Sequence, residues 1–378
     1  MTGPLADITV LELGGIGPLP LLAMTLADLG ARVVRVDPVH ANVPRVSPTF
    51  WIYRGRESLT VDLRQPRGRD VLLQLVEHAD VLLEGYRPGV VERLGIGPEV
   101  CLARNPRLIY GRMTGWGSSG PLADKAGHDL NYISITGALG AMGPAGSPPT
   151  VPLNLIGDYG GGAMMLALGV LAALAETRVS GEGQVVEAAM SDGTLTLMAQ
   201  WYAMRDAGRW VDEREANVID GGAPFYRCYE TSDGGYVAVG AVENKFYADL
   251  IDGLELHPSL VGCQNERVRW PEIRELFAAT FKTRSRAEWE QVFAERDACV
   301  TPVLSMAEAP EYAHNAARDA FVEVDGQLQV APPVRFGRTP AAARSSAPAP
   351  GADNTRILEE CGLDRGEIDS LRESGVIG

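Results

Sequence analysis

The sequence predicts an α/β protein in which a parallel sheet is followed by a smaller α+β unit. Over about the first 190 residues, strand-like and helix-like segments alternate, which is the pattern of parallel strands joined by helical crossovers. After Gly221 and Gly222, strand-like runs at 225–230 and 236–241 flank the turn sequence SDGG, which predicts a hairpin. With 378 residues, 46% of them hydrophobic, the chain can bury a full core and is long enough for about two domains.

The elements of the sheet follow from their local patterns. Helical apolar periodicity covers 20–29, which ends before Gly30, and also 69–79. The longest apolar run, 163–175, is too short to cross a bilayer, so we expect a buried helix there. The strand-like runs are 8–13, 32–36, 59–63, 81–84 and 108–112.

Charge and cysteine content exclude several classes of protein. With 34 basic and 49 acidic residues, the net charge is -15, which opposes general attraction to nucleic acid or to an anionic membrane. The five cysteines show no metal-ligand spacing and no paired framework, and residues 1–13 lack the basic residues of a secretory signal. We expect a cytoplasmic protein with no metal site, nucleic-acid partner or membrane span.

The first strand-like run ends in a turn that is similar to a dinucleotide-binding fingerprint. Gly15 and Gly17 follow the strand, and Asp37 closes the next strand. Pro20 occupies the place of the third glycine, where proline is mainly a good first residue of a helix. We therefore expect a tight turn whose backbone approaches some other ligand.

Four arginines lie near the ends of strand-like runs, at one predicted edge of the sheet. They are Arg54, Arg56, Arg87 and Arg93. A guanidinium group binds phosphate in a paired geometry, although each arginine alone would be an ordinary solvated charge. Their grouping in an otherwise acidic chain favours a phosphate-binding site.

Three further residues stand out by their setting. In the segment AGHDLNY, His128 lies beside an acidic residue, where an imidazole can act as an acid or a base near neutral pH; the simpler alternative is a helix cap. Asp158 precedes three glycines and the apolar run, at the predicted start of a buried helix, where an N-cap is the simpler alternative. Glu243 follows the run at 236–241.

The glycines at 160–162 make the Asp158 setting unusual. Three glycines in a first helical turn weaken the helix and leave its backbone open to close approach. Free N–H groups there would stabilise an oxyanion, and a carboxylate beside them suits either proton abstraction next to a carbonyl or attack on that carbonyl. The residues alone do not choose between these two chemistries.

The ordered segments GIGPLP, RGRESLTVDL, LLEGYRPGVVERLG, RMTGWGSSGP, AGHDLNY, GDYGGG, GGAPFYRCYE, AVGAVENKFY and DACVTPV span nearly the whole chain. This set resembles the family III CoA-transferases, and most closely their α-methylacyl-CoA racemase branch. The resemblance implies a large Rossmann-like, CoA-binding domain from 1–193 and 330–378, a linker at 194–221, and a small α+β domain at 222–329. It also implies an interlocked homodimer with active sites shared between the large domain of one chain and the small domain of the other.

The resemblance further implies the roles of individual residues. His128 and Asp158 would be the two proton-transfer bases, and Glu243 would orient His128. CoA is part of the acyl-CoA thioester substrate, so no separate cofactor and no metal are expected. The residues expected to bind CoA are Ile16, Arg54, Arg87, Arg93 and Tyr132.

The sequence departs from the family pattern at two places. Pro38 follows Asp37 where relatives often have a basic residue near a CoA phosphate, so Arg45 or Arg54 is the expected substitute. Asn244 and Lys245 stand where racemases tend to carry Pro-Gln. A lysine so close to the catalytic pair is expected to alter acyl preference or the pKa of its neighbours.

The activity that we predict is epimerisation of 2-methylacyl-CoA thioesters by proton removal and return through an enolate. The alternative is transfer of CoA between carboxylic acids, with Asp158 forming an acyl anhydride. Transferases generally carry a glycine-rich loop in the small domain, and 240–244 here is GAVEN, which favours the racemase. A CoA-binding protein without catalysis would be expected to lose one of the three site residues, and all three are present.

The acyl group is left open by these residues. Branched fatty acyl, sterol side-chain and arylpropionyl thioesters all present the same reacting carbon.

Overall fold

The computed structural model describes residues 3–39 and 50–378. The chain divides into two compact units. The first unit comprises Met1–Thr136, Pro152–Leu197 and Ala313–Gly378, and the second comprises Gly137–Val151 and Met198–Tyr312.

The described strands are β1 (Thr9–Leu13), β2 (Arg32–Asp37), β3 (Arg56–Thr60), β4 (Val81–Glu84), β5 (Ile109–Thr114), β6 (Gln184–Ala189), β7 (Tyr226–Glu230), β8 (Tyr236–Gly240), β9 (Val300–Pro302), β10 (Phe321–Val324) and β11 (Gln327–Val330). The described α-helices are α1 (Pro18–Asp28), α2 (Pro66–Glu77), α3 (Val90–Arg93), α4 (Pro98–Arg104), α5 (Asp129–Ser134), α6 (Met164–Ser180), α7 (Met190–Leu197), α8 (Ala199–Asp206), α9 (Asn244–Gly253), α10 (Trp270–Phe281), α11 (Arg286–Phe293), α12 (Ala313–Ala317), α13 (Asn354–Glu360) and α14 (Arg365–Glu373).

The first unit is built on a six-stranded parallel sheet in the order β3-β2-β1-β4-β5-β6. This is the strand order of the Rossmann fold, so the predicted α/β class with a parallel sheet is confirmed. The inner strands β1 and β4 carry buried apolar residues on both faces because helices cover both faces. Val10 and Val81 pack in the core that contains α1 and α6, whereas Leu11 and Leu82 pack in the core that contains α2 and the C-terminal helices.

Two predicted element boundaries in the first unit, one of a strand and one of a helix, are wrong for identifiable reasons. The third strand lies at Arg56–Thr60, not at 59–63. Its first residue is a charged one that the pattern assigned to the surface, but Arg56 is buried with Glu12 at a Nε to Oε2 distance of 2.7 Å. The first helix begins at Pro18, not at Pro20, because both prolines are accommodated in its first turn.

The apolar run at 163–175 belongs to a longer helix than the sequence predicted. The helical stretch Leu155–Ser180 has 26 residues and, by length and composition alone, could cross a membrane, so the expectation that it is too short is wrong. One face packs in the core of the first unit, where Leu166 and Val170 are fully buried. Core helices of soluble proteins pass the same length test, so this is weak evidence for a membrane span.

The second unit contains the predicted hairpin. Strands β7 and β8 pair antiparallel, as predicted, and β9 extends the sheet on the other side of β8. Helices α9, α10 and α11 supply an aromatic core to this sheet. Tyr229 stacks on Phe281 with ring centroids 5.1 Å apart, and Phe281 meets Trp289 edge-on at the same distance.

The unit boundaries differ from the predicted domains. The segment 137–151 belongs to the second unit, where Arg214 donates hydrogen bonds to the carbonyls of Gly140 and Pro144. The first unit resumes at Ala313, not at 330, because hairpin β10–β11 packs there against Arg54. Such long-range contacts of polar side chains leave no signal in local sequence patterns.

Candidate active site

A pocket of about 620 Å³ lies in the first unit at the carboxyl ends of β1, β4 and β5. The strand order reverses between β1 and β4, and this switch point is where doubly wound sheets bind their ligands. Three loops form the walls, because each begins where one of these strands ends. The lining includes Ile16, Gly17, Tyr86, Arg87, Trp116, Lys125, His128, Tyr132, Asn154 and Asp158.

The turn after β1 brings backbone against a carboxylate. Gly17 has φ 72°, and a β-carbon at this position would lie 2.6 Å from Oδ2 of Asp158. The second glycine of the apparent dinucleotide fingerprint therefore makes room for Asp158. The backbone of this turn therefore lies against a side chain of the same unit, and its approach to a ligand stays a prediction.

His128 is a helix cap, as the simpler alternative predicted, and it also lines the pocket. It is the N-cap residue of α5, and its backbone N–H donates to Oδ1 of Asn131 at 3.1 Å. It is also exposed and lines the pocket. The cap fixes the backbone of His128, and the imidazole remains available to a ligand.

Asp158 is not an N-cap residue. It lies inside a π-helical segment, Leu155–Ala163, that precedes α6, and π-helical turns occur often at functional sites. Its backbone N–H donates to Oδ1 of Asp129 at 2.7 Å, and Nδ2 of Asn154 donates to its Oδ2 at 3.2 Å. Burial raises the pKa of Asp158; the bond from Asn154 opposes this, the Asp129 charge adds to it, and His128 opposes it.

The three glycines serve packing and not an oxyanion site. In a π-helix each N–H bonds to the carbonyl five residues earlier, so the amides at 160–162 point into the helix and not at a ligand. A β-carbon at Gly161 would lie 2.7 Å from the Met190 carbonyl oxygen, and one at Gly193 would lie 1.9 Å from the Gly161 oxygen. The glycines therefore allow α7 to pack directly on the backbone of this segment, and the predicted oxyanion role is wrong.

Tyr132 and Ile16 form apolar parts of the pocket. Tyr132 is buried, its hydroxyl donates to the Gly127 carbonyl, and its ring meets Trp116 edge-on with centroids 4.8 Å apart. Burial and the charge of Asp158 raise the pKa of Tyr132, and the nearby Arg87 opposes this. Ile16 is 65% exposed, an unusual state for isoleucine that suits contact with a ligand at the pocket mouth.

The four predicted phosphate-binding arginines are placed differently from one another. Arg87 is exposed and lines the pocket. Arg93 is exposed at the end of α3, outside the pocket lining, and its Nη1 would lie 3.0 Å from a β-carbon at Gly89. Arg56 is buried with Glu12, as described above.

Arg54 lies in a buried ion pair and not at the pocket. Its Nη2 is 2.7 Å from Oδ2 of Asp28, and its Nη1 donates to the Val330 carbonyl at 2.7 Å and to Oε1 of Gln329 at 3.2 Å. This placement gives no support to the expected contact between Arg54 and CoA. Arg45, the other expected substitute at the CoA phosphate, lies outside the described residues.

Glu243 lies in the second unit. It is the exposed N-cap residue of α9, where its carbonyl accepts the N–H of Tyr247 at 3.0 Å. Burial, together with the charges of Asp297 and Glu243, raises the pKa of the Cys299 thiol. Lys245 is also exposed, with its ammonium 4.4 Å from the centre of the Phe246 ring. That Glu243 orients His128 stays a prediction.

The structure adds residues that sequence reasoning missed. Asp129 was visible only as the acidic neighbour of His128, and Asn154 only as a residue four positions before Asp158. Lys125, three residues before His128, also lines the pocket. Within 3–39 and 50–378, no group of three or more His, Cys, Asp or Glu side chains is arranged to hold a metal ion.

A Rossmann-type sheet with an imidazole and a carboxylate in one pocket at its switch point defines a candidate acid–base enzyme. The chain belongs to CoA-transferase family III, which residues 5–354 match. It is 43% identical to the α-methylacyl-CoA racemase of Homo sapiens over 377 residues, which cover 99% of this chain and 97% of that protein. The corresponding racemase of Mus musculus is 41% identical over 375 residues, with the same two coverages.

The fold is also similar to that of a solved structure. Rv3272 from Mycobacterium tuberculosis aligns with a TM-score of 0.79 at 27% identity, covering 94% of this chain and 99% of that chain. Full-length similarity to the two racemases makes the protein an enzyme of the isomerase type within its family.

Proposed function

We propose that the protein is a 2-methylacyl-CoA racemase that inverts the carbon next to the thioester by two-base proton transfer. The observation that carries this proposal is that His128 and Asp158 line one pocket and interact electrostatically there. Inversion needs a base on each face of the reacting carbon, and an imidazole and a carboxylate are both side chains that can accept a proton and return it.

The reaction is balanced by proton movement alone. With one enantiomer, the Asp158 carboxylate removes the α-proton, the electron pair moves onto the thioester oxygen as an enolate, and the His128 imidazolium returns a proton to the other face. With the other enantiomer, the neutral imidazole removes the proton and the Asp158 carboxyl supplies one. No electrons leave the substrate, so we propose that no cofactor beyond the CoA of the substrate and no metal are required.

The enolate oxygen needs hydrogen-bond donors, and the start of α5 is the proposed source. The first N–H groups of a helix have no acceptor within it, and they carry the positive end of the helix dipole. Helix α5 begins directly after His128, and the N–H groups of Asn131 and Tyr132 donate to the His128 carbonyl, so those of Asp129 and Leu130 are the proposed donors. They replace the glycine amides that the sequence suggested for this role.

CoA is proposed to enter along the loop after β4. Arg87 lies on the pocket wall, and its exposed guanidinium suits a phosphate of the pantetheine-linked nucleotide. Arg93 follows on the same surface segment, while Ile16 and Tyr132 offer apolar contact. In a chain with net charge -15, such local cations decide whether an anionic thioester is bound.

We further propose an interlocked homodimer in the cytoplasm, with Glu243 supplied by the partner. An exposed apolar stripe on α6 supports an extensive partner surface, because Met164, Leu168 and Val179 are 42%, 67% and 90% exposed. The stripe also gives a reason other than membrane insertion for the apolar character of this long helix. Glu243 would then accept a hydrogen bond from the His128 imidazole and fix its tautomer.

CoA transfer through an Asp158 acyl anhydride is the second candidate, favoured by the family to which the chain belongs. It uses Asp158 as a nucleophile and gives His128 no role in the chemistry. Hydroxylamine added during turnover would trap such an anhydride. We expect no adduct on Asp158; a labelled Asp158, or CoA transfer to an added acid as fast as proton exchange, would favour the transferase.

The racemase proposal is tested by incubating each enantiomer of a 2-methylacyl-CoA in heavy water. We expect α-deuterium to enter both enantiomers, together with loss of optical purity measured by chiral analysis. If a thioester that is shown to bind gains no deuterium from either enantiomer, the protein is not a racemase for that acyl class.

A further inference from the structure

Asp129 is a buried carboxylate behind the pocket, and the reaction above gives it no role. It is the first residue of α5 and only 6% exposed. One oxygen, Oδ1, accepts the backbone N–H of Asp158 at 2.7 Å. The other, Oδ2, is buried and has no hydrogen-bond partner among the described residues. A buried unpartnered oxygen is unfavourable, so its retention here calls for a reason.

The contact between Asp129 and the Asp158 segment is close enough to restrict the sequence. A β-carbon at Gly157 would lie 2.8 Å from Oδ1 of Asp129, so a larger residue there would separate α5 from the π-helical segment. His128 precedes Asp129 in the chain, and Asp158 is bonded to it. Asp129 therefore lies at the junction between the two proposed bases.

Asp129 also acts on Asp158 by its charge. Burial is the first cause of the raised pKa of Asp158 and the negative charge of Asp129 adds to it, while Asn154 and His128 act in the opposite direction. The other ionisable groups on the elements around Asp158 are Tyr132 on α5, and Arg87 and Lys125 on the pocket wall; α7, which packs on the same segment, carries the exposed Asp192 in its first turn. A second carboxylate so close favours the protonated form of Asp158, which is the form that donates a proton.

We propose that Asp129 is a positioning residue for Asp158, which it orients through the backbone amide and acts on through the negative charge of its buried carboxylate. The proposal rests on the proposed function only where it concerns catalysis. The coupling between the two carboxyl groups is a property of the free protein and can be measured without any substrate.

The direct test is a pH titration of the Asp158 carboxyl in the full-length protein, with isotope-labelled aspartate followed by infrared or NMR spectroscopy. The Asp158→Asn variant identifies the signal. Asp129→Asn keeps an oxygen for the Asp158 amide but removes the charge, so the pKa of Asp158 should fall. Asn154→Ala removes a donor to the carboxylate, so the pKa should rise. Asp124→Asn, an exposed neighbour in the preceding loop, is the matched control and should leave the titration unchanged.

The catalytic consequence is read from the pH dependence of deuterium exchange for each enantiomer. One enantiomer loses its proton to Asp158. In Asp129→Asn, the acid limb of the pH–rate profile for this enantiomer should move to lower pH. For the other enantiomer Asp158 must be protonated to supply the proton, so there it is the alkaline limb of the profile that should move to lower pH. Asp129→Ala also loses the bond to the amide, so its kcat should fall by about tenfold more than that of Asp129→Asn.

The outcomes separate this proposal from the proposed function. An unchanged Asp158 titration in Asp129→Asn overturns the positioning role, as does an equal loss of kcat for both enantiomers without movement of either limb. A shifted titration in a protein that exchanges no α-proton supports the carboxyl coupling and rejects the racemase. If Asp129→Asn does not fold, Asp129→Ser removes the same charge with a smaller polar side chain and gives the same prediction for the titration.

Discussion

Gly17 and Asp158 are so close that only a glycine fits between the first turn and the carboxylate. A β-carbon at Gly17 would lie 2.6 Å from Oδ2 of Asp158, and the backbone of Gly17 has φ 72°. The turn that resembles part of a dinucleotide fingerprint thus supports one wall of the pocket and limits the positions that Asp158 can take.

Substitution Gly17→Ala should therefore disturb Asp158 more than it disturbs the fold. The methyl group must displace the carboxylate, and the backbone conformation of Gly17, φ 72° and ψ -113°, adds about 1–3 kcal/mol of strain for a residue with a side chain. We expect kcat/KM for racemisation to fall by at least about tenfold, since misplacement of a catalytic group by about 1 Å can cost 100-fold. Gly120→Ala is the control, because Gly120 also has positive φ, 96°, but a β-carbon there meets nothing within 4 Å. Equal losses in both variants would show that backbone strain, and not Asp158, is responsible.

Loss of Arg87 should weaken substrate binding, whereas loss of Arg54 should lower stability. Arg87→Gln removes an exposed cation from the pocket wall, so KM for the thioester should rise about tenfold, as expected for one charge-assisted contact, with little change in the free energy of unfolding. Arg54→Gln leaves Asp28 buried without its partner and should lower the free energy of unfolding by about 3–5 kcal/mol. Denaturant unfolding and steady-state kinetics measure the two effects. If Arg54→Gln has normal stability but a raised KM, Arg54 contacts CoA, as the sequence predicted.

Asp158→Asn should stabilise the protein in a pH-dependent way. Because the pKa of Asp158 is raised in the folded state, its charge destabilises the fold above that pKa and has no effect below the unfolded value. The melting temperature of Asp158→Asn should exceed that of the wild type at neutral pH, and the difference should shrink as the pH falls through the folded pKa of Asp158. Calorimetry at several pH values tests this. A difference that grows toward acid pH would contradict the raised pKa.

Complementation tests whether Glu243 acts from the partner chain. His128→Ala and Glu243→Ala homodimers would each carry two defective sites, whereas a heterodimer of the two would carry one site with both lesions and one with neither. Differently tagged chains should therefore recover activity on co-expression, up to about half that of the wild type per dimer by site counting. Mixing folded homodimers should not suffice, because interlocked chains must unfold to exchange. Purified heterodimers no more active than their parents, or an active monomer in sedimentation, would exclude the shared site.

Local sequence patterns predicted five of the six strands of the parallel sheet, but they predicted neither β6, which is largely exposed, nor the residues around the site. Strands such as β1 and β4 are apolar runs between turns, so their pattern is visible without tertiary context. The hairpin of β7 and β8 is equally local. In contrast, Arg54 and Arg56 look like surface charges, and only contacts with Asp28 and Glu12 show that they are buried.

In the candidate site, too, some residues could be predicted from their local sequence and others could not. His128 and Asp158 were found because histidine and glycine-flanked aspartate are unusual in their local settings. The role of Asp129 could not be found in this way, because its bond to Asp158 spans 29 positions in the chain. The π-helical turn of Asp158 was also missed, since three glycines at the start of an apolar run are compatible with an ordinary helix start.

The central claim is that two different bases serve opposite faces of one reacting carbon. The most direct measurement is deuterium incorporation from each enantiomer of a 2-methylacyl-CoA in heavy water by His128→Ala and Asp158→Ala. We expect each variant to lose exchange from one enantiomer by about 100-fold or more, as for loss of a general base, and the affected enantiomer should be opposite in the two variants. Similar losses for both enantiomers, or the same bias in both variants, would contradict the assignment of His128 and Asp158 to opposite faces.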